Sequence, residues 1–280
     1  MKASQSISRI VLAAGLAMGL AAGSVLHPAA AQTKSDFQPT VGQAGKDVVW
    51  VPTPQELVET MLDMARAGPG DYVIDLGSGD GRTVITAAKR GIRARGIEYN
   101  PDMVTLSRAN AKKEGVSERA TFVQGDIFQT DFTEASVITL FLLSSLNQKL
   151  RPIILDMKPG TRVVSNTFDM GDWNADESAT ATGSCSSYCR AYFWIVPAKV
   201  QGSWQMAGGE FSLEQKYQMI NGTLHLGNVN APVGGKLMGD RISINAGRTL
   251  YTGTVNGDTI EGLALTGDTL SAWRATRAKK

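Results

Sequence analysis

The spacing of apolar residues divides the 280-residue chain into stretches of different character. The first is "IVLAAGLAMGLAAGSVL", an uncharged apolar run preceded by Lys2 and Arg9 and followed by "HPAAAQ". Residues 1–31 read as a secretory signal peptide cleaved after the small-x-small pair Ala29 and Ala31. Residues 32–49 are polar and aperiodic, and read as a linker or N-terminal arm. From Leu57 the period is helical. Leu57, Met61 and Met64 share one face, with Val58, Leu62 and Ala65 beside them. Thr53 is the expected N-cap, Pro54 the first helical residue and Glu56 the partner in a capping box, with Gly68-Pro69-Gly70 as the stop.

Beyond Gly70 the pattern alternates between short apolar runs and helical spacing. "YVIDLG", "RARGIE", "ATFVQGD", "ASVITLFLL" and "TRVVSNTF" read as five strands. The fourth is continuously apolar, as in the middle of a parallel sheet. Helices are expected after "DLGSGDGR", from Asn100-Pro101, and in "LNQKLRPIILDM" with Pro152 as a local interruption. This βα alternation predicts a doubly wound α/β sheet over residues 50–198, with "RAYFWIVPA" as a further strand. From residue 199 to 280 the style changes to short alternating runs. They are punctuated by Asn221-Gly222, Gly239-Asp240, Ala246-Gly247, Asn256-Gly257 and Gly267-Asp268. That reads as a small all-β domain, an up-and-down meander closed as a barrel or sandwich. Trp204, Phe211, Tyr217, Tyr251 and Trp273 are expected in its core.

Charge and composition narrow the chemistry. The chain has 28 Lys+Arg, 26 Asp+Glu and two histidines. Removing the leader takes Lys2, Arg9 and His27, leaving 26 basic against 26 acidic residues and His225 alone. A neutral chain offers no electrostatic case for nucleic acid or a membrane surface. One histidine excludes His-dependent triads and multi-His metal centres, so no metal site is expected. Cys185 and Cys189, in "CSSYC", are expected to form a local disulfide in an oxidising compartment. The expected location is therefore the periplasm or the exterior, with no membrane anchor once the leader is cleaved.

The glycine loop carries the candidate chemistry. Gly77, Gly79 and Gly81 follow a strand with G-x-G-x-G spacing, and Asp75 precedes them. A phosphate loop would need Lys-Ser/Thr where this chain has Arg82-Thr83. A dinucleotide loop would use G-x-G-x-x-G. Glu98 ends the second strand and can accept both hydroxyl hydrogens of an adenosine ribose, whether from NAD or from S-adenosylmethionine. Asp126 ends the third strand and can accept from an adenine amino group, with Ile127 as an apolar wall. In an open α/β sheet these strand ends share one crevice.

"VIDLGSGDG", "GIEYNP" and "VQGDI" resemble the successive cofactor motifs of class I S-adenosylmethionine-dependent methyltransferases. "VPTPQELVETML", "DLGSGDGR" and "PGTRVVSNTF" are similar to landmarks of one branch. That branch is typified by the lysine methyltransferase of the mitochondrial ATP synthase c subunit and its bacterial relatives. The resemblance spans about Trp50 to Trp173. It implies a Rossmann-like methyltransferase sheet and S-adenosylmethionine as cofactor. Asp75, Gly77, Ser78, Gly79 and Gly81 would serve its methionine end, Glu98 the ribose, and Asp126 with Ile127 the adenine, with Asn100 also among the cofactor-binding residues. Thr53 and Pro54 would cover it. It also implies a methyl acceptor, a protein lysine side chain, beyond the fourth strand. There Ser144, Asn147, Phe168, Asp169 and Trp173 are candidate pocket residues. The Asp/Asn-Pro-Pro-aromatic motif of many N-methyltransferases is absent. Ser144-Ser145 stand where the nearer branch commonly has a proline. No residue is singled out as a catalytic base. Two rival readings remain open: an exported non-catalytic binding module that retains the fold, and an NAD-dependent oxidoreductase.

Overall fold

The computed structural model describes residues 37–183 and 185–278. The leader read at residues 1–31 lies outside the described residues. Helix α1 spans Gln55–Met64 and buries Leu57, Val58, Met61 and Leu62. Its N-cap is Pro54, which makes no side-chain cap. The expected Thr53 cap is not formed. Thr53 is buried instead, its hydroxyl accepting from the Asn166 amide at 3.3 Å. The helix also stops before the Gly-Pro-Gly turn. Arg66 takes a left-handed φ of 46° and returns its N–H to Asp63 at 2.8 Å.

The α/β elements follow in the expected order. They are β1 (Tyr72–Leu76), α2 (Arg82–Lys89), β2 (Arg93–Glu98), α3 (Pro101–Lys113) and β3 (Ala120–Gln124), then β4 (Val137–Leu140), α4 (Ser144–Leu155) and β5 (Arg162–Asn166). The strands β6 (Glu177–Thr180) and β7 (Arg190–Ile195) complete a seven-stranded sheet, ordered β3-β2-β1-β4-β5-β7-β6. Strands β1 to β5 are parallel, and β7 is antiparallel to β5. Strand β4 is buried along its whole length, as its unbroken apolar sequence requires. Helix α4 runs through Pro152 without the expected interruption, because Leu150 and Ile154 are buried on either side and hold both halves to the sheet. The chain order reverses between β1 and β4, which places a crevice beyond their carboxyl ends.

The C-terminal strands are β8 (Gly202–Met206), β9 (Gly209–Lys216), β10 (Met219–Leu226), β11 (Val229–Met238), β12 (Arg241–Ala246), β13 (Thr249–Asn256), β14 (Thr259–Thr266) and β15 (Thr269–Arg277). They form a closed eight-stranded barrel, sealed by β15 on β8. Its interior is filled with side chains. Trp204 and Phe211 are fully buried, Tyr251 and Trp273 nearly so, and the last three meet edge to face. Tyr217 does not join them. Its ring stacks on Trp173 of the α/β sheet and its hydroxyl donates to Asp172 at 2.8 Å. Asn221-Gly222, read as a turn, lies inside β10. A Cβ on Gly222 would sit 2.0 Å from the Ser212 carbonyl oxygen, so this glycine permits close strand pairing rather than a reversal.

Besides the Tyr217–Trp173 stack, the barrel docks onto the sheet through polar contacts. Lys236 pairs with the buried Asp176 carboxylate at 2.8 Å, and the Gln218 amide donates to the Asn174 carbonyl at 2.8 Å. Among the described residues no helix is long and apolar enough to cross a membrane, and no group of three His, Cys, Asp or Glu could hold a metal ion.

Candidate functional site

The carboxyl ends of β1, β2, β3 and β4 open into one cavity. Its wall includes Thr53, Asp75, Gly77, Ser78, Gly79, Glu98, Asn100, Asp126 and Ile127. Nine of the eleven residues expected to contact the cofactor therefore meet in one place. The glycine loop is shaped by backbone. Gly77 and Ser78 both donate to the Ile97 carbonyl, at 2.9 and 3.1 Å, which bends the chain across the end of β2. Gly77, Gly79 and Gly81 all have left-handed φ, of 81°, 52° and 85°. Glu98 ties the loop down. One carboxylate oxygen accepts the Gly79 N–H and the other the Asn100 N–H, each at 2.9 Å. The Asn100 side chain caps α3 by accepting from Asp102 at 2.9 Å.

Gly81 does not line the cavity. It starts α2, and a Cβ there would press within 2.8 Å of Phe122 and Ser107. Its role is close packing of α2 over the sheet. Pro54 is likewise off the wall, held at the start of α1.

Asp75 is the electrostatic anomaly of the site. Register places it opposite Thr139 of β4, whose hydroxyl donates to it at 2.6 Å. Burial is the main cause that pushes its carboxyl up to about 7, and the charges of Glu98 and Asp80 add to the effect. Hydrogen bonds from Thr139 and Thr83 oppose it. Among the described residues no Lys or Arg forms an ion pair with this carboxylate. Nearby, Asp80 and Arg82 pair at 2.6 Å, and Arg82 donates to the Thr53 carbonyl at 2.9 Å.

The arm expected at residues 32–49 is more than a linker where it is described. Gly42 donates to the Trp50 carbonyl, Trp50 to that of Gln43 and Gly45 to that of Val48, at 2.8 to 3.0 Å. This hairpin forms one side of the cavity. Trp50 stands over the glycine loop, so close that a Cβ on Gly79 would meet its indole nitrogen at 2.7 Å. Lys46 reaches Asp126 at 2.6 Å and lies 5.0 Å from the Tyr99 ring centre. Each partner stabilises the other's charge, so the Lys46 ammonium is shifted up and the Asp126 carboxyl down. Sequence reasoning missed Lys46, Trp50 and Tyr99. A lone lysine in a polar arm carries no local signal of a carboxylate 80 residues away.

At the other end, Phe141, Leu142 and Leu146 complete the wall. None of the residues expected around the acceptor is on the wall. Asn147 is buried, and its amide donates to Ser165 Oγ and to the carbonyls of Phe168 and Asp169, at 3.1 to 3.2 Å. Phe168 stacks against Phe141 at 6.0 Å and thus borders the cavity from outside. Ser144 begins α4 but is not on the wall. The Asp169 carboxylate turns to the Gly171 N–H at 3.1 Å. Trp173 is fully buried between Trp194 and Tyr217, so as an acceptor residue it is a misreading; it joins sheet and barrel. Cys185 and Cys189 form the expected disulfide.

The family model of the ANTKMT methyltransferase domain matches residues 75–177. A protein-lysine N-methyltransferase of Saccharolobus islandicus is 45% identical over 133 residues, covering 46% of this chain and 83% of that protein. The lysine N-methyltransferase of the ATP synthase c subunit from Rattus norvegicus is 36% identical over 135 residues, again 46% of this chain but 60% of its own length. Among solved structures, an RNA methyltransferase from Salinibacter ruber in complex with S-adenosyl-L-homocysteine superposes with a TM-score of 0.50. It is 46% identical, and the match covers 54% of this chain and 96% of that one. The family match ends before the barrel begins.

Proposed function

Because the chain belongs to the ANTKMT family of S-adenosylmethionine-dependent methyltransferases, we propose that it methylates the side-chain amine of a protein lysine, and does so outside the cytoplasm. Family membership does not favour a non-catalytic module or an NAD-dependent oxidoreductase.

The pocket's donor set fits the cofactor. Among the described residues no cation pairs with the buried Asp75 carboxylate, which suits an ammonium group. The left-handed glycines leave room that a Cβ would fill: on Gly77 it would meet Leu142 at 3.2 Å. A dinucleotide would place phosphates beside the acids Asp75, Asp80 and Glu98 with Arg82 already paired to Asp80. In this reading Asp75, Gly77, Ser78 and Gly79 take the methionine end. Glu98 takes the ribose, Asp126 with Ile127 the adenine, and Thr53 lies over the cofactor. Asn100 acts by holding β2 to α3 and by donating to Glu98.

The bound cofactor supplies a sulfonium methyl group open to in-line displacement by an unprotonated amine. What the chain contributes is position and dryness. Glu98 fixes the glycine loop, Trp50 and the hairpin cover one side, and Phe141, Leu142 and Leu146 make the far wall apolar. The aliphatic Leu142 and Leu146 disfavour a charged lysine ammonium and so ease its loss of a proton to solvent. The single observation that carries the reading is that Asp75 in β1, Glu98 at the end of β2 and Asp126 just beyond β3 converge with the glycine loop on one cavity.

The lysine acceptor is supported by the S. islandicus relative, and the balanced charge argues against RNA as the acceptor. Location outside the cytoplasm is supported by the Cys185–Cys189 disulfide and by the leader-like residues 1–31. Calorimetric titration tests the pocket. S-adenosylmethionine and S-adenosylhomocysteine should both bind, and Glu98→Ala and Asp126→Ala should weaken both at least tenfold, about 1.4 kcal/mol. Unchanged affinity in both variants would overturn the assignment of the pocket.

A further inference from the structure

Phe141, Phe168 and Tyr188 form a ring cluster that none of the buried cores absorbs. Phe141 directly follows β4 and is part of the cavity wall. Tyr188 meets it edge-on at 5.2 Å, and Phe168 lies 6.0 Å from Phe141 and 6.5 Å from Tyr188. Tyr188 remains 40% exposed. The cluster thus leads from solvent to the end of the cavity opposite Lys46 and Asp126.

Its geometry is imposed. Thr167 and Tyr188 are two of only four non-glycine residues with left-handed φ among the described residues, at 60° and 54°. Such a conformation is unfavourable for a β-branched or bulky residue and persists only where the surroundings hold it. Several contacts hold it here. The Thr167 N–H donates to the Arg190 carbonyl at 2.7 Å, the Ala181 N–H to that of Cys189 at 2.8 Å, and the Asn147 amide grips Phe168 from below. The Cys185–Cys189 disulfide closes the five-residue loop that carries Tyr188.

We propose that Tyr188, presented by this disulfide-closed loop, completes with Phe141 and Phe168 an aromatic cradle that receives the alkylammonium side chain of the acceptor. The proposal rests on the lysine reading above. Aromatic faces attract a cation, and their edges pack along a methylene chain. The cradle is continuous with the cofactor cavity through Phe141, so a side chain entering over Tyr188 is led to the apolar end. Tyr188, Phe168 and Phe141 touch the acceptor; Asn147, Cys185 and Cys189 are positioning residues.

The test uses a bisubstrate probe, an aza analogue of S-adenosylmethionine that carries an n-butylamine arm in place of the methyl group. Its affinity is compared with that of S-adenosylhomocysteine by calorimetry on the full chain. The wild type should bind the probe about fivefold tighter or better, the increment expected of a cation on aromatic rings. Tyr188→Ala and the double variant Cys185→Ser/Cys189→Ser should lose that increment while keeping the affinity for S-adenosylhomocysteine. Tyr188→Phe should retain it. Thermal unfolding of each variant confirms folding. If wild type and Tyr188→Ala share the same increment, the cradle is overturned and the lysine reading stands. If the wild type binds S-adenosylhomocysteine but gains nothing from the arm, the lysine reading falls and the cradle with it.

Discussion

The Glu98 carboxylate spans two backbone donors from different loops, taking the Gly79 N–H at 2.9 Å on one oxygen and the Asn100 N–H at 2.9 Å on the other. A single side chain thereby sets both the shape of the glycine loop and the start of α3. Replacing it with alanine leaves two backbone donors without this acceptor, at a cost of about 1–3 kcal/mol. Glu98→Gln, which keeps one amide oxygen, should lose less stability than Glu98→Ala. Urea unfolding of the two variants without cofactor measures the difference.

Asp75 links protonation to folding and binding. Its carboxyl is raised to about 7 in the folded chain, against an ordinary value near 4 when unfolded. Between these values the folded state holds a proton that the unfolded state has lost. Stability contributed by this group is therefore complete below pH 4. It falls as pH rises towards 7, by up to about 1.4 kcal/mol per unit. Asp75→Asn should flatten that slope. Affinity for a cofactor carrying an ammonium should run the other way, rising with pH until about 7. Midpoint temperatures and calorimetric affinities from pH 5 to 8 check both signs.

Two glycines of one loop should fail differently. Gly81→Ala puts a Cβ within 2.8 Å of Phe122 and Ser107 at a φ of 85°, so it should destabilise the fold by about 2–4 kcal/mol. Gly79→Ala instead meets the Trp50 indole. Its φ of 52° strains an alanine as well, but the hairpin can yield, so stability should fall by about 1–2 kcal/mol, less than at Gly81, while cofactor affinity drops. Parallel unfolding and titration curves separate the two.

The hairpin over the cavity should govern cofactor retention. Trp50→Ala removes the indole from the glycine loop and should speed cofactor dissociation about tenfold, with a smaller effect on association. Stopped-flow displacement of S-adenosylhomocysteine reads both rates.

The barrel should be energetically separable from the site. Trp204 is fully buried and donates its indole N–H to the Val200 carbonyl at 2.8 Å. Trp204→Ala should cost about 3–5 kcal/mol of barrel stability. Affinity of the folded fraction for S-adenosylhomocysteine should stay unchanged, as calorimetry below the unfolding transition would show.

Much of this architecture is legible because local pattern and global fold agree. Asp75, Glu98 and Asp126 each lie at or just beyond the carboxyl end of an apolar strand, and a parallel sheet gathers strand ends by topology alone. The filled barrel is legible from alternation around Trp204, Phe211, Tyr251 and Trp273. Strand β6 is not, because its residues are largely exposed and show no apolar alternation. Thr53 reads as a cap because Ser and Thr before a helix usually are caps. Here a distant partner, Asn166, draws it inward. Trp173 is misplaced by sequence because an aromatic beyond a strand end looks the same whether it faces a ligand or a neighbouring domain. The Lys46–Asp126 pair and the Tyr188 cluster depend on contacts across long separations, which no local window contains.

The measurement closest to the central claim is methyl transfer with product identification. The chain from Gln32 onward, with its disulfide intact, is incubated with methyl-tritiated S-adenosylmethionine and a periplasmic protein extract, and in parallel with total RNA. The account predicts label in protein, recovered after acid hydrolysis as Nε-methylated lysine. That label should be lost in the Asp126→Ala variant. Label in RNA alone, or in protein residues other than lysine, would contradict it.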